Sequence, residues 1–137
     1  MVNPPARVVV AYPGVSAWEK WLYAWGVFGP QVPSMTAAQV EDRAYLLDVR
    51  EPDEWAAGHA PGAHHMPMME VPARIAEVPT DAEVVVVCRS GGRSGQVTSY
   101  LMGNGWDNVR NLDGGMQSWA AAGRDMVSEN GQPARVL

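Results

Sequence analysis

The sequence predicts an α/β domain: a mostly parallel β-sheet with helices packed on both faces. Three observations carry this. From residue 34 onward, short apolar runs alternate with helical segments, the order that a parallel sheet with crossover helices requires. Val84-Val85-Val86-Val87 is β-branched with no polar alternation, the mark of a strand covered on both faces. The chain has 137 residues, 47% apolar and 18% charged. One domain of that size buries roughly two-thirds of its unfolded surface without disulfides or structural metal.

Residues 1–33 form an N-terminal aromatic strand–helix extension of distinct composition, with Trp18, Trp21 and Trp25 and five prolines. Residues 8–12 read as a strand. Ser16 and Glu19 fit a capping box opening a helix that stops before Gly29-Pro30. Trp18, Trp21, Leu22, Trp25 and Phe28 recur at helical spacing. Such a face suits packing within the chain, a homodimer or a partner protein.

The main domain spans residues 34–127. Thr36 and Gln39 form a second capping box before a short helix. Residues 45–49 read as a strand. Pro52 suits the first position of a helix ending at Gly58. Residues 63–66 are a short strand between Pro61-Gly62 and Pro67, and 69–77 a short helix. The strand 84–87 runs into Cys88. A helix over 92–102 closes at Gly103-Asn104-Gly105, and a strand follows at 109–112. Asp113 then caps a helix carrying Met116 and Trp119. Residues 128–137 form a C-terminal tail.

Composition excludes several classes. A single cysteine leaves no disulfide framework, no CxxC pair and no multi-Cys metal site. A net charge of −5 argues against a nucleic-acid footprint. No run approaches the ~18 apolar residues of a membrane span. Docking on a membrane surface is disfavoured, because Lys20 alone on the aromatic helix could meet anionic lipid. Pro13-Gly14 interrupts the one weak likeness to a signal peptide. A reducing, cytoplasmic setting is therefore the expectation.

Chemistry concentrates in Cys88-Arg89-Ser90-Gly91-Gly92-Arg93-Ser94. The segment joins the carboxyl end of the most apolar strand to a helix start, where sites in parallel sheets lie. Such a turn aims successive N–H groups at one point, and the helix adds its positive end. Gly91 and Gly92 permit the backbone angles of a cradle. Two guanidiniums and a helix N-terminus favour a thiolate, so Cys88 is expected to be acidified and to act as a nucleophile on an anion.

The chain resembles the single-domain rhodaneses, a family of sulfurtransferases, over about residues 34–127. The likeness rests on four pieces in order: Leu47-Asp48-Val49-Arg50 with Glu54; Gly58-His59-Ala60-Pro61-Gly62-Ala63; the Cys88–Ser94 loop; and Leu112-Asp113-Gly114-Gly115-Met116 with Trp119. It implies a rhodanese-like three-layer α/β/α fold with a five-stranded, mostly parallel sheet. It also implies a thiosulfate sulfurtransferase cycle through a Cys88 persulfide. The donor is a small anion such as thiosulfate, the acceptor cyanide or a thiol, and neither metal nor organic cofactor is required. The alternatives are a persulfide carrier serving a partner protein and a non-catalytic interaction domain. Four residues separate Cys88 from Arg93. That is one fewer than in the cysteine phosphatases, so the ring suits sulfur better than phosphate.

The remaining site residues have plainer roles beside the functional ones. Arg93 is expected to organise the loop and Arg89 to point outward and attract anions. Ser90 and Ser94 cap the helix or donate to the persulfide. Asp48 is expected to form a structural ion pair with Arg93, and Arg50 either to face the substrate or to serve the scaffold. His59 is expected to bond the carbonyls of a helix end. His64 and His65, with Met66, Met68 and Met69 nearby, form a soft-ligand cluster. Strand alternation sends the two imidazoles to opposite faces, against a metal site.

Overall fold

A computed structural model describes residues 32–137. The expected strand at 8–12 and aromatic helix at 16–28 lie outside the described residues. The fold is the expected α/β one: five strands in the order β1-β5-β4-β2-β3, with every pair parallel. They are β1 (Ser34–Met35), β2 (Tyr45–Asp48), β3 (His64–His65), β4 (Val84–Val87) and β5 (Val109–Leu112). The all-valine run is the central strand, and each of its residues is buried.

Alternation along β4 builds the two flanking layers. Val84 and Val86 face one core with Leu47, Val109, Val97 and Leu101. The last two belong to the long helix α3 (Gly92–Gly103). Val85 and Val87 face the other, with Leu46, Leu112, Met116 and Trp119. There α4 (Gly115–Ala121) supplies the cover. Helix α1 (Pro52–Ala57) follows β2, opening with Pro and a Glu51/Glu54 capping box. The segment after β3 is one helical stretch in three pieces: a 3₁₀ turn Met68–Glu70, α2 (Val71–Arg74) and a 3₁₀ turn Ile75–Glu77. Among the described residues, no helix is long and apolar enough to cross a membrane.

Three elements differ from expectation. The fifth strand is Ser34–Met35, which carries no strand pattern of its own. It exists because Asn111 and Asp113 donate their N–H groups to Pro33 and Met35 carbonyls at 2.8 and 2.9 Å. The expected helix after Thr36 is a single 3₁₀ turn, Ala37–Gln39. Asp113 does not cap α4; Gly114, in the left-handed region, takes that position.

Gly115 ties α4 to the loop after β4. Its φ is +57°, and a Cβ there would lie 2.4 Å from Cys88 O and 2.6 Å from Arg89 O. With no side chain in the way, Met116 N–H donates to Cys88 O at 2.8 Å and Gln117 N–H to Arg89 O at 3.0 Å. The start of one helix thus holds the first two residues of the loop. Gly115→Ala is expected to cost at least about 1–3 kcal/mol, from left-handed strain added to a backbone collision. Chemical unfolding measures this. Cys88 alkylation in the folded variant should slow with it.

Candidate active site

Cys88 follows β4 at the carboxyl edge of the sheet and is 1% exposed. The chain turns through Gly91, whose φ of +110° is the left-handed conformation the turn needs. The turn brings donors onto the sulfur. Gly91 N–H lies 3.0 Å and Ser94 Oγ 3.2 Å from Sγ. Burial pushes the Cys88 thiol up. The Ser94 hydroxyl and the Ser94, Gly91 and Ser90 N–H groups outweigh it, leaving the thiol more acidic than usual. Hydrogen bonds from the loop and the start of α3 are the main acidifying contacts; Arg93 adds a through-space attraction while its Nη1 and Nη2 bond Glu54.

Ser94 is not a cap. It lies within α3, fully buried, and its hydroxyl is also 2.5 Å from Asn111 Oδ1. Asn111 Nδ2 in turn donates to Gly91 O at 3.2 Å. This β5 side chain therefore holds both Ser94 and the Gly91 turn. The sequence reading missed it. The available signal was an amide in a strand otherwise apolar where it is buried. Ser90 and Gly92 are exposed.

Arg93 and Asp48 are not partners. Arg93 makes a two-pronged pair with Glu54, Nη1 to Oε1 at 2.8 Å and Nη2 to Oε2 at 2.9 Å. Glu54 Oε1 also accepts Glu51 N–H at 2.9 Å. One carboxylate thus closes the capping box of α1 and anchors the first turn of α3. The Arg93 hydrogen bonds hold the Glu54 carboxyl down at about 2, so the pair stays charged at any ordinary pH.

Asp48 instead pairs with Arg50. Nε and Nη2 of the arginine lie 2.9 and 2.7 Å from the two carboxylate oxygens. The physical reason is proximity: residues two apart at a strand end share a side. Arg50 is fully buried, and its Nη2 also donates to Gly58 O at 2.7 Å. That corrects the option that it faces a substrate; it braces the turn after β2. His59 is buried, with Nδ1 2.8 Å from Trp55 O and its ring stacked on Trp55. His64 stacks on Tyr45, while His65 bonds Arg50 O at 2.8 Å, so the two imidazoles part as alternation requires. Among the described residues, no group of three or more His, Cys, Asp or Glu side chains could hold a metal. Arg89 is exposed, and its Nε donates to Leu137 O at 2.6 Å.

The arrangement is a buried, acidified thiol in a nest of neutral donors, with the exposed Arg89 guanidinium at its rim. A nest of this size stabilises negative charge on Sγ or on an atom bonded to it.

Known proteins share this framework. The family model described as Rhodanese-like domain matches residues 33–122. A sulfurtransferase of Allochromatium vinosum is 44% identical over 98 residues, covering 72% of this chain and 91% of that protein. The thiosulfate sulfurtransferase GlpE of Pseudomonas entomophila is 37% identical, covering 64% of this chain and 80% of that protein. Among solved structures, a rhodanese-related protein from Thermoplasma volcanium superposes with a TM-score of 0.65 at 30% identity. That match spans 69% of this chain and 97% of the other.

Two outcomes follow. Ser94→Ala should move the Cys88 titration, read by thiolate absorbance, upward toward that of an ordinary thiol. Arg50→Met leaves Asp48 buried without its cation and should cost about 3–5 kcal/mol. The double variant Asp48→Leu/Arg50→Met should recover much of that in urea unfolding.

Proposed function

This chain belongs to the rhodanese-like domain family, and from that premise we propose that it is a thiosulfate-type sulfurtransferase working through a Cys88 persulfide. The observation that carries this reading is the set of N–H and O–H donors on Cys88 Sγ. They stabilise the thiolate that starts the cycle. The same donors can receive the charge of the persulfide that follows.

Each half-reaction balances without metal, redox cofactor or external proton. The Cys88 thiolate attacks the outer sulfur of thiosulfate. A Cys88 S–S bond forms, the S–S bond of thiosulfate breaks, and its electron pair leaves with sulfite. An acceptor nucleophile, cyanide or a thiolate, then attacks the outer sulfur of the persulfide. That S–S bond breaks and its pair returns to Cys88. This is covalent catalysis with ping-pong kinetics. Cys88 is the only cysteine of these 137 residues, so no second thiol among them can resolve the persulfide.

The loop supports sulfur chemistry over phosphoryl transfer for a reason of charge. A dianionic phosphoryl group in the ring calls for an arginine directed at its oxygens. The loop's second arginine, Arg93, directs both terminal nitrogens at Glu54. A persulfide carries a single charge and is served by the neutral donors already on Sγ.

Incubation with thiosulfate should add one sulfur atom to the intact mass, and cyanide should remove it with release of thiocyanate. Cys88→Ser should abolish both. A wild-type protein that gains no sulfur from thiosulfate would overturn the proposal. Persulfide formation with negligible turnover to cyanide would instead favour the carrier reading. The rate of sulfur loading should rise with pH through the lowered Cys88 titration and level off above it. The thiolate is the reacting species, and it disappears as pH falls below that value.

A further inference from the structure

The family match ends at residue 122, yet the chain beyond it returns to the active-site loop. Val127 and His59 exchange both main-chain hydrogen bonds, at 2.8 and 2.9 Å. Glu129 N–H donates to Ala56 O at 2.8 Å, and Arg135 N–H to Ala57 O at 2.9 Å. Those two carbonyls close α1, where a helix has no partners of its own to offer them. Met126 and Val136 pack on the core of the α4 face. The segment finishes with Leu137 O on Arg89 Nε at 2.6 Å.

Arg89 is the residue after the nucleophile, and this is the one hydrogen bond its guanidinium makes among the described residues. A guanidinium held through Nε keeps both terminal nitrogens free, in a fixed plane, to meet an anion. A free arginine at the same place would sample many rotamers.

We propose that residues 126–137 are a specificity-determining strap, which aims Arg89 so that the site selects anionic over neutral sulfur donors. The role rests on the sulfurtransferase reading, but the aiming of Arg89 can be measured without it. Gly58 is where the strap is fitted. A Cβ there would lie 2.5 Å from Arg135 O and 2.7 Å from both Arg135 N and Met126 Cε. Its φ of 172° is extended backbone open to any residue. Gly58→Ala therefore pushes on the strap without straining its own backbone, and Gly58 touches neither Cys88 nor its donors.

The experiment compares alkylation of Cys88 by iodoacetate, an anion, with alkylation by neutral iodoacetamide, in the full chain. The rate ratio reports anion attraction at the nucleophile and needs no sulfur donor. Gly58→Ala should lower the ratio by about threefold to tenfold, the scale of local electrostatic steering. Val136→Ser should lower it too, loosening the strap from its other end. Amide exchange at Glu129 and Arg135 should speed up in both. Arg89→Gln should lower the ratio by itself, and Gly58→Ala should then add nothing. With thiosulfate, KM should rise in Gly58→Ala while kcat holds. A freed strap with an unchanged ratio overturns the proposal. So does a ratio that rises, which would make the strap a cover over Arg89. Fully additive effects of the two variants, or unchanged amide exchange in both strap variants, overturn it as well. Failure of sulfur loading in the wild type would strike the transfer reading alone, because the alkylation ratio stands without it.

Discussion

Cys88 Sγ is almost wholly buried, and burial by itself would keep it a neutral thiol. What reverses this is a set of donors whose positions the backbone dictates: Gly91 N–H, Ser94 N–H and Oγ–H, and Ser90 N–H. A donor stabilises charge in a poorly solvated site only if it is already in place when the charge appears. Much of the fold around the loop can be understood as keeping these donors still. The central strand delivers the cysteine, the left-handed Gly91 turns the chain back on it, and α3 begins at once. The first residues of α4 grip Cys88 and Arg89 by their carbonyls, with Gly115 giving the clearance.

Two ion pairs divide the scaffolding. Glu54–Arg93 joins α1 to the first turn of α3, so the loop's far end is anchored to a second helix. Asp48–Arg50 seals the turn after β2, reaching Gly58 O and so fixing the point at which α1 ends. Arginine serves in both because its planar fork meets a carboxylate with two parallel bonds. The result is that Arg89 is the most exposed arginine in or beside the loop, with Arg93 half-buried in its pair with Glu54. An anion approaching Cys88 therefore meets positive charge at the rim and neutral donors at the base. That gradient suits a substrate that must arrive as an anion and leave a single charge behind.

Much of the architecture was legible beforehand, for local reasons. A four-valine run has no polar face to show water, so it belongs in the centre of a covered sheet. Pro52 marks the start of α1 through its fixed φ, and Gly58 marks its end as the residue type common after a helix. The Cys88–Ser94 loop announced itself because its chemistry is contiguous in sequence. The short strand Ser34–Met35 was illegible because its pairing is made by β5, 77 residues away. Asp113 misled because it looks like a cap, while the turn needs a positive φ that Gly114 supplies.

The sequence by itself determined the candidate cysteine, the loop that surrounds it and the parallel sheet that presents it, since each follows from residue types adjacent in the chain. Only the tertiary structure decided which charge pairs with which. Arg93 finds Glu54 across 39 residues, Asn111 on another strand holds Ser94, and the C-terminal segment reaches Arg89 across 48 residues. Ion pairs and hydrogen bonds act over a few ångströms of space, and spacing along the chain carries no record of which distant groups come that close. The same limit explains why the acidity of Cys88 and the part played by its loop N–H groups were legible in the sequence, while the pairing of Arg93 with Glu54 was not. The field around a sulfur can be guessed from its neighbours in sequence, but its hydrogen bonds are set by where the fold places them.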